Sequence, residues 1–213
     1  MILRRLVLAA ALLIPAAAMA QLPPLRTGVD GTFAPHAMPK LGGGIEGFQI
    51  DLFTEAARRM KREITIDSTS FSGLIPGLQS GRYDFIVANY ANPDMVGHTG
   101  VWDATITALG VIDAQLGRVA DAIASLEAAD PTGPGAVLFV TADHGNADDM
   151  VDADGNPVTK HSLNPVPLLG TGRALTGRTL RDGVLADVAP TILELAGLPR
   201  WDGMTGRSLL SEA

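Results

Sequence analysis

Apolar and polar positions along the chain switch repeatedly between strand-like and helix-like spacing. Leu25 to Val29 reads as a strand closed by the turn pair Asp30-Gly31. From Gln49 to Arg62 the apolar residues Leu52, Phe53, Ala56 and Met60 recur at helical spacing, with Glu55, Arg58, Arg59 and Lys61 between them. "EITID" is a short strand; "SGLIPGLQSG" predicts a short helix with Ser72 as N-cap and Gly81 as stop, although Pro76 opposes a regular helix there. Tyr83 to Tyr90, "YDFIVANY", is a continuous apolar run such as a strand buried on both faces would show, and the polar "NPDMVGHTG" after it reads as a loop. Between Asp103 and Ala128, Leu109, Ile112, Leu116, Val119, Ile123 and Leu126 fall three or four apart, predicting the longest helix of the chain. "AVLFVTA" is another buried-type strand, followed by the polar loop "DHGNADDMVDADGNPVTKH" and a short strand in "NPVPLLG". Leu185 to Leu195 closes the pattern as a helix starting near Asp187, with Pro190 in its first turn and Gly197 at its end. This alternation predicts an α/β fold, a mostly parallel sheet with helices on both faces.

Composition adds a folded body and an export signal. Hydrophobic residues make up 46% and charged residues 18% of 213, which suits one domain or two small ones. Residues 1–20, "MILRRLVLAAALLIPAAAMA", combine a basic start, an apolar run from Leu6 to Ile14 and a small-residue end, the pattern of a secretory signal cleaved before Gln21. The run is short of the ~20 residues a spanning helix needs, so no stable membrane anchor is expected after cleavage. Arg4-Arg5 lacks the rest of a twin-arginine signal, which leaves the general export route and a periplasmic or secreted destination. Losing Arg4 and Arg5 takes the net charge from −7 to −9, against nucleic acid or anionic membrane as partner. With no cysteine, disulfides, thiol catalysis and thiolate metal sites are excluded.

Open α/β sheets assemble their sites in polar loops at the carboxyl ends of strands. One such loop carries Asp94 and His98; another carries Asp143 and His144, with His161 further on. Each residue alone has a plain reading, a turn cap or a solvated loop side chain. Together, all five falling in loops after successive strands, they point to a divalent metal site. Carboxylate with imidazole suits Mn or Zn better than Ca or Mg, and two such ions would clamp a phosphoryl oxygen during in-line transfer.

"YDFIVANYANPDMVGHTG", "VLFVTADHGNADDM", "KHSLNPVPLL" and "LADVAPTILELAGLP…MTGRSLL" resemble the carboxyl-terminal part of the 2,3-bisphosphoglycerate-independent phosphoglycerate mutases, of the alkaline-phosphatase-like superfamily, over residues 83–213. The resemblance implies an alkaline-phosphatase-like fold in this part, an isomerase chemistry interconverting 3- and 2-phosphoglycerate, and two Mn2+ sites. Asp94, His98 and His161 would hold one ion, and Asp143 and His144 would contribute to the second. The family's serine nucleophile motif and its substrate-gripping insertion have no counterpart here, so the resemblance implies an impaired transfer step. Residues 21–88, with "LRTGVDGTFAPHAM", "IEGFQIDLFTEAARRM" and "STSFSGLIPGLQSGRYDFIVA", resemble instead the start of the family 3 extracellular solute-binding proteins, the periplasmic receptors of amino-acid importers. In that half Gly47, Asp51 and Gly81 read as turn or cap residues. The chain is thus a hybrid joined in a strand sequence, "YDFIVA", that either family could own.

Three readings follow. The first is an exported Mn-binding fragment acting on a small phosphorylated substrate, an awkward place for a glycolytic activity whose substrates are cytoplasmic. The second is a periplasmic binding module for an amino-acid-like solute, and the third an accidental join without function. Two further residues belong to the first reading: Asp30, at the end of the first strand, as a stand-in for the second site's missing ligand, and Ser72 as a substitute nucleophile, although a turn and an N-cap explain them as well.

Overall fold

The computed structural model describes residues 23–133 and 135–212; the expected export signal lies outside the described residues. In chain order the elements are β1 (Leu25–Asp30), the two-residue strands β2 (Met38–Pro39) and β3 (Ile45–Glu46), α1 (Phe48–Arg59), β4 (Ile64–Thr69), α2 (Phe71–Gln79), α3 (Asn92–Gly97), α4 (Trp102–Ala129), β5 (Leu138–Thr141), β6 (Leu168–Thr171), β7 (Arg178–Leu180), α5 (Val188–Leu195) and β8 (Leu210–Glu212).

The predicted α/β character is borne out. β1 and β4 pair in parallel, Leu25 opposite Ile64 through Asp30 opposite Thr69, with α1 as the crossover between them. α1 can start where it does because Gly47 sits at φ 136 with no side chain; a Cβ there would lie 2.4 Å from the His36 carbonyl oxygen. Its last turn places Arg58 and Arg59 over the helix C-terminus, both paired with Glu55 at 2.6 and 2.7 Å. The helix stops short of Arg62 because Lys61 turns the chain at φ 53. α2 begins two residues before expectation, with Ser70 rather than Ser72 at its N-cap, and accommodates Pro76 within it.

The stretch 83–90 departs from the expected strand. It touches β1 through one isolated parallel bridge, Thr27 to Phe85, where the buried Thr27 hydroxyl donates to the Phe85 carbonyl at 2.9 Å. Just before the bridge the Asp84 N–H donates to the Arg26 carbonyl at 2.8 Å, while the Arg26 N–H goes to the Asp84 carboxylate at 2.9 Å instead of to a backbone carbonyl, and that carboxylate also pairs with the Arg26 guanidinium. That pairing also holds the Asp84 carboxyl below its usual range. Tyr83 fastens the stretch: its ring, 3% exposed, lies where a Cβ on Gly28 of β1 or Gly77 of α2 would come within 2.6 or 2.2 Å of it.

The other strand pairs are antiparallel: β2 with β3, β5 with β6 and β7 with β8. The described strands form four two-stranded sheets, of which β1–β4 is the parallel one. The long loop after β5 brings the chain back against the same strand, and a return of that kind needs no crossover helix. α4 covers the expected span almost residue for residue, yet its stripe is buried only toward the C-terminal half, at Val119, Ala122 and Ile123; Trp102, Ile106 and Leu109 are exposed. Around α5 the buried Asp187 carboxylate accepts the Val184 and Arg207 backbone N–H groups at 3.0 and 2.7 Å, and those bonds, Arg207 foremost, hold its pKa below the usual value. Among the described residues no helix is long and apolar enough to cross a membrane.

Candidate metal centre

Three segments bring the candidate ligands together. The first is α3, a single helical turn where the sequence suggests a loop: Pro93 starts it, and the His98 N–H closes it on the Asp94 carbonyl at 3.0 Å. Residues four apart on one turn share a face, so Asp94 Oδ1 and His98 Nε2 stand 3.3 Å apart. The second segment is the loop after β5, carrying Asp143, His144 and Asn146. The third runs from Thr159 to Asn164 and carries His161. A backbone bridge between Gly145 and Ser162, with the Ser162 N–H on the Gly145 carbonyl at 2.9 Å, ties the second to the third. It sets His144 against His161, ring centroids 3.6 Å apart and 19° from parallel.

The donor atoms converge. His161 Nε2 lies 3.1 Å from Asp94 Oδ1 and 3.1 Å from His98 Nε2. Donors bound to one ion at about 2.1 Å sit roughly 3.0–3.4 Å from each other in octahedral or tetrahedral arrangements, so this triangle has the size of a coordination face. His144 joins Asp94 and His161 in a group whose ligand atoms all lie within 4.8 Å.

Tautomers sharpen the point. The Thr159 carbonyl, 2.7 Å from His98 Nδ1, can only accept, so Nδ1 carries a proton, and in the neutral ring Nε2 then presents a lone pair toward His161. Two ring nitrogens facing each other at 3.1 Å, one of them a fixed acceptor, require a proton or a cation between them. His144 Nδ1 is buried with no hydrogen-bond partner among the described residues. By charge, donor type and spacing, the residues present fit a divalent cation.

The remaining expected residues stand differently. Asp143 is 85% exposed, its Oδ1 3.6 Å from His144 Nε2, outside the converging group. Asp30 also lies outside that group; its Oδ1 accepts from the Thr32 hydroxyl at 2.7 Å and the Thr32 N–H at 3.0 Å, and these bonds hold its carboxyl below the usual range. Ser72 is in the first turn of α2, its hydroxyl 3.0 Å from that of Ser70. Sequence reasoning passed over Asn146, whose Nδ2 donates to Asp94 Oδ1 at 2.8 Å, and Asp148, which accepts from the Ser162 hydroxyl and the Asn164 amide at 2.7 and 2.6 Å. Those two bonds, Ser162 first, hold the Asp148 carboxyl below its usual value. Their only sequence signal is the density of polar residues after Asp143.

Comparison with known proteins accords with a chain of two origins. Residues 25–94 match the bacterial extracellular solute-binding proteins, family 3. Among solved structures the chain is 36% identical to a mutant of the arginine-bound ArgBP from T. maritima, covering 30% of each chain with a TM-score of 0.29. It is 30% identical to a periplasmic binding protein of Salmonella typhimurium described as highly arginine-specific, covering 32% of this chain and 30% of that one with a TM-score of 0.30. The rest is similar to 2,3-bisphosphoglycerate-independent phosphoglycerate mutases: 51% identical over 137 residues to that of Syntrophotalea carbinolica, and 54% over 130 residues to that of Desulforudis audaxviator. These alignments cover 64% and 61% of this chain but 25% and 24% of the relatives, so the chain spans about a quarter of their length. Residues 60–200, which carry all the converging ligands, match the Metalloenzyme superfamily, and the chain belongs to that superfamily.

Proposed function

We propose that the chain is a divalent-cation-binding domain of the phosphoryl-transfer kind, with Asp94, His98 and His161 holding one Mn2+ and Asp143 and His144 supplying part of a second site. The observation that carries this reading is the triangle of Asp94 Oδ1, His98 Nε2 and His161 Nε2, with sides of 3.1, 3.1 and 3.3 Å. When bound, such an ion would polarise and neutralise phosphoryl oxygens or activate water. The protein's own part is preparatory. Thr159 fixes the His98 tautomer so that a lone pair is ready, and Asp94 supplies the compensating negative charge. The three side chains are 36–46% exposed, open enough for a small phosphate ester to approach.

Interconversion of phosphoglycerates by the mutase route needs a serine nucleophile and substrate-gripping arginines, and we assign neither within this chain. Ser72 is taken up in the first turn of α2 and Asp30 in its own turn, so we leave both out of the chemistry. The expected behaviour is metal binding with at most slow phosphomonoester hydrolysis. Isothermal titration of the chain with MnCl2 tests this: saturable binding that His98→Ala or His161→Ala abolishes is expected, and heats indistinguishable from buffer would overturn it.

A second reading is supported by the match of residues 25–94 to the solute-binding family, whose members are extracellular. On that reading β1, α1, β4 and α2 are part of an exported lobe for an amino-acid-like solute, bound without metal. Titration with arginine, lysine and glutamine in the presence of EDTA decides it; no heat with any of them removes it.

A further inference from the structure

We propose that Asn146 is the positioning residue of the metal centre, an amide that locks the Asp94 carboxylate in the orientation the cation requires. The inference rests on the cation-binding reading above. Asn146 is 7% exposed, and its Nδ2 donates to Asp94 Oδ1 at 2.8 Å. That is the same oxygen that lies 3.1 Å from His161 Nε2 and 3.3 Å from His98 Nε2. An ionised carboxylate only accepts, so the NH2 side of the amide must face Asp94. A carboxylate oxygen has two lone pairs. Donation from Asn146 engages one and leaves the other directed at the imidazoles, which favours one-point attachment of the cation over a splayed two-point grip.

The amide is itself held. Gly97, the last residue of α3, lies against its other side: a Cβ at position 97 would come within 2.1 Å of Asn146 Oδ1. The amide thus lies close against the same helix that carries Asp94. The Asn146 loop is in turn fastened to the His161 segment by the Ser162 N–H on the Gly145 carbonyl and by Asp148, which receives Ser162 and Asn164 at 2.7 and 2.6 Å. Asn146 thus stands where the three ligand-bearing segments meet. Its hydrogen bond joins the second segment directly to a ligand atom on the first. Outer partners of this sort orient ligands before the ion arrives, and losing one typically costs about ten- to a hundredfold in metal affinity.

A merely structural Asn146 would bolt the loop to α3 without affecting the cation. The two roles part in what they move. Loss of a bolt lowers the melting temperature of the metal-free protein and leaves the Kd for Mn2+ unchanged. Loss of a positioning residue raises the Kd. The experiment is isothermal titration of the full chain with MnCl2, for wild type and Asn146→Ala, with metal-free melting curves and electron paramagnetic resonance of the bound Mn2+ alongside. We expect Asn146→Ala to raise the Kd about ten- to a hundredfold and to alter the bound-ion spectrum. Gly97→Ala pushes the amide without removing it and is expected to act in the same direction by less; it carries the test if Asn146→Ala does not fold. Wild-type Kd in the variants, with or without a lower melting temperature, overturns the positioning role while leaving the cation site standing. A wild-type chain that binds no Mn2+ overturns both.

Discussion

Replacing Thr191 by valine isolates one buried hydroxyl at the C-terminal clasp. Thr191 on α5 is 1% exposed; its Oγ1 donates to the Asp187 carbonyl at 2.7 Å and accepts the Leu209 backbone N–H at 2.9 Å, and Leu209 is itself 4% exposed. Valine keeps the shape and removes both bonds. The Asp187 carbonyl, being a helix acceptor with a second lone pair, loses little. The Leu209 N–H becomes a buried donor with nothing to donate to, which costs about 1–3 kcal/mol, and the lost donation adds about 0.5–1 kcal/mol. At roughly 2–4 °C per kcal/mol for a chain of this size, a total of about 1.5–4 kcal/mol lowers the melting temperature by about 3–16 °C. Circular dichroism at 222 nm measures it, and hydrogen exchange at the Leu209 amide should accelerate more than at its neighbours. Thr191→Ser, which keeps the hydroxyl and gives up a methyl, should melt above Thr191→Val. If serine proves the worse substitution, methyl packing rather than the orphaned donor controls the clasp, and the reasoning fails.

Further outcomes follow from other contacts. Mn2+ at about a hundredfold its Kd should stabilise the wild type by about 2.7 kcal/mol, and His161→Ala should remove the effect, read as a shift in melting temperature on adding MnCl2 and on its reversal by EDTA. Glu55, whose carboxyl is drawn from 4.5 down to about 2 by hydrogen bonds from Arg58 and then Arg59, is depressed in the folded state. Its contribution is therefore present above the unfolded value and lost as pH falls toward the folded one, so the Glu55 carboxyl carbon should titrate near 2 and move back up in Arg58→Ala. Arg59 stacks its guanidinium 4.4 Å from the Trp201 ring centroid, joining α1 to the segment after α5; a double-mutant cycle of Arg59→Ala and Trp201→Leu should return a coupling of about 0.5–1 kcal/mol, and zero coupling would mark the contact as incidental.

Long periodic segments were legible in the sequence, and short or non-periodic ones were not. α4 follows from six apolar residues spaced three or four apart, and α1 from four, with its end displaced only by the positive φ at Lys61. An apolar run such as 83–90 does not say what its backbone pairs with, and here Asp84 diverts the Arg26 N–H that a ladder would need. α3 is too short for periodicity to register, leaving Pro93 as its one local sign. The histidines were visible as residue types in polar loops, and the sequence suffices to nominate them. What it does not contain locally is the Gly145 to Ser162 bridge that sets His161 against His144, or the Thr159 carbonyl that fixes the tautomer of a histidine 61 positions earlier.

Across the seam between the two family matches the chain stays packed against β1 and α2. The two family matches overlap over residues 60–94, the span from the end of α1 through β4 and α2 into the first turn of α3. Within it Tyr83 is enclosed by Gly28 of β1 and Gly77 of α2, Thr27 bonds Phe85, and Phe71 meets Tyr90 edge to face at 5.2 Å. No flexible linker separates the halves there; the join is packed, with two glycines leaving room for an aromatic ring. The first candidate ligand, Asp94, comes eleven residues after Tyr83 and at the last position of the solute-binding match. Its placement therefore depends on how firmly the preceding stretch is fastened to β1. Residues 91–101 must then turn from that anchored stretch into α4, and α3 makes the turn while setting Asp94 and His98 on one face. Loosening Tyr83 should therefore loosen the backbone that carries Asp94 toward His161, and Tyr83→Ala is expected to weaken Mn2+ binding in the MnCl2 titration, an unchanged Kd refuting the link.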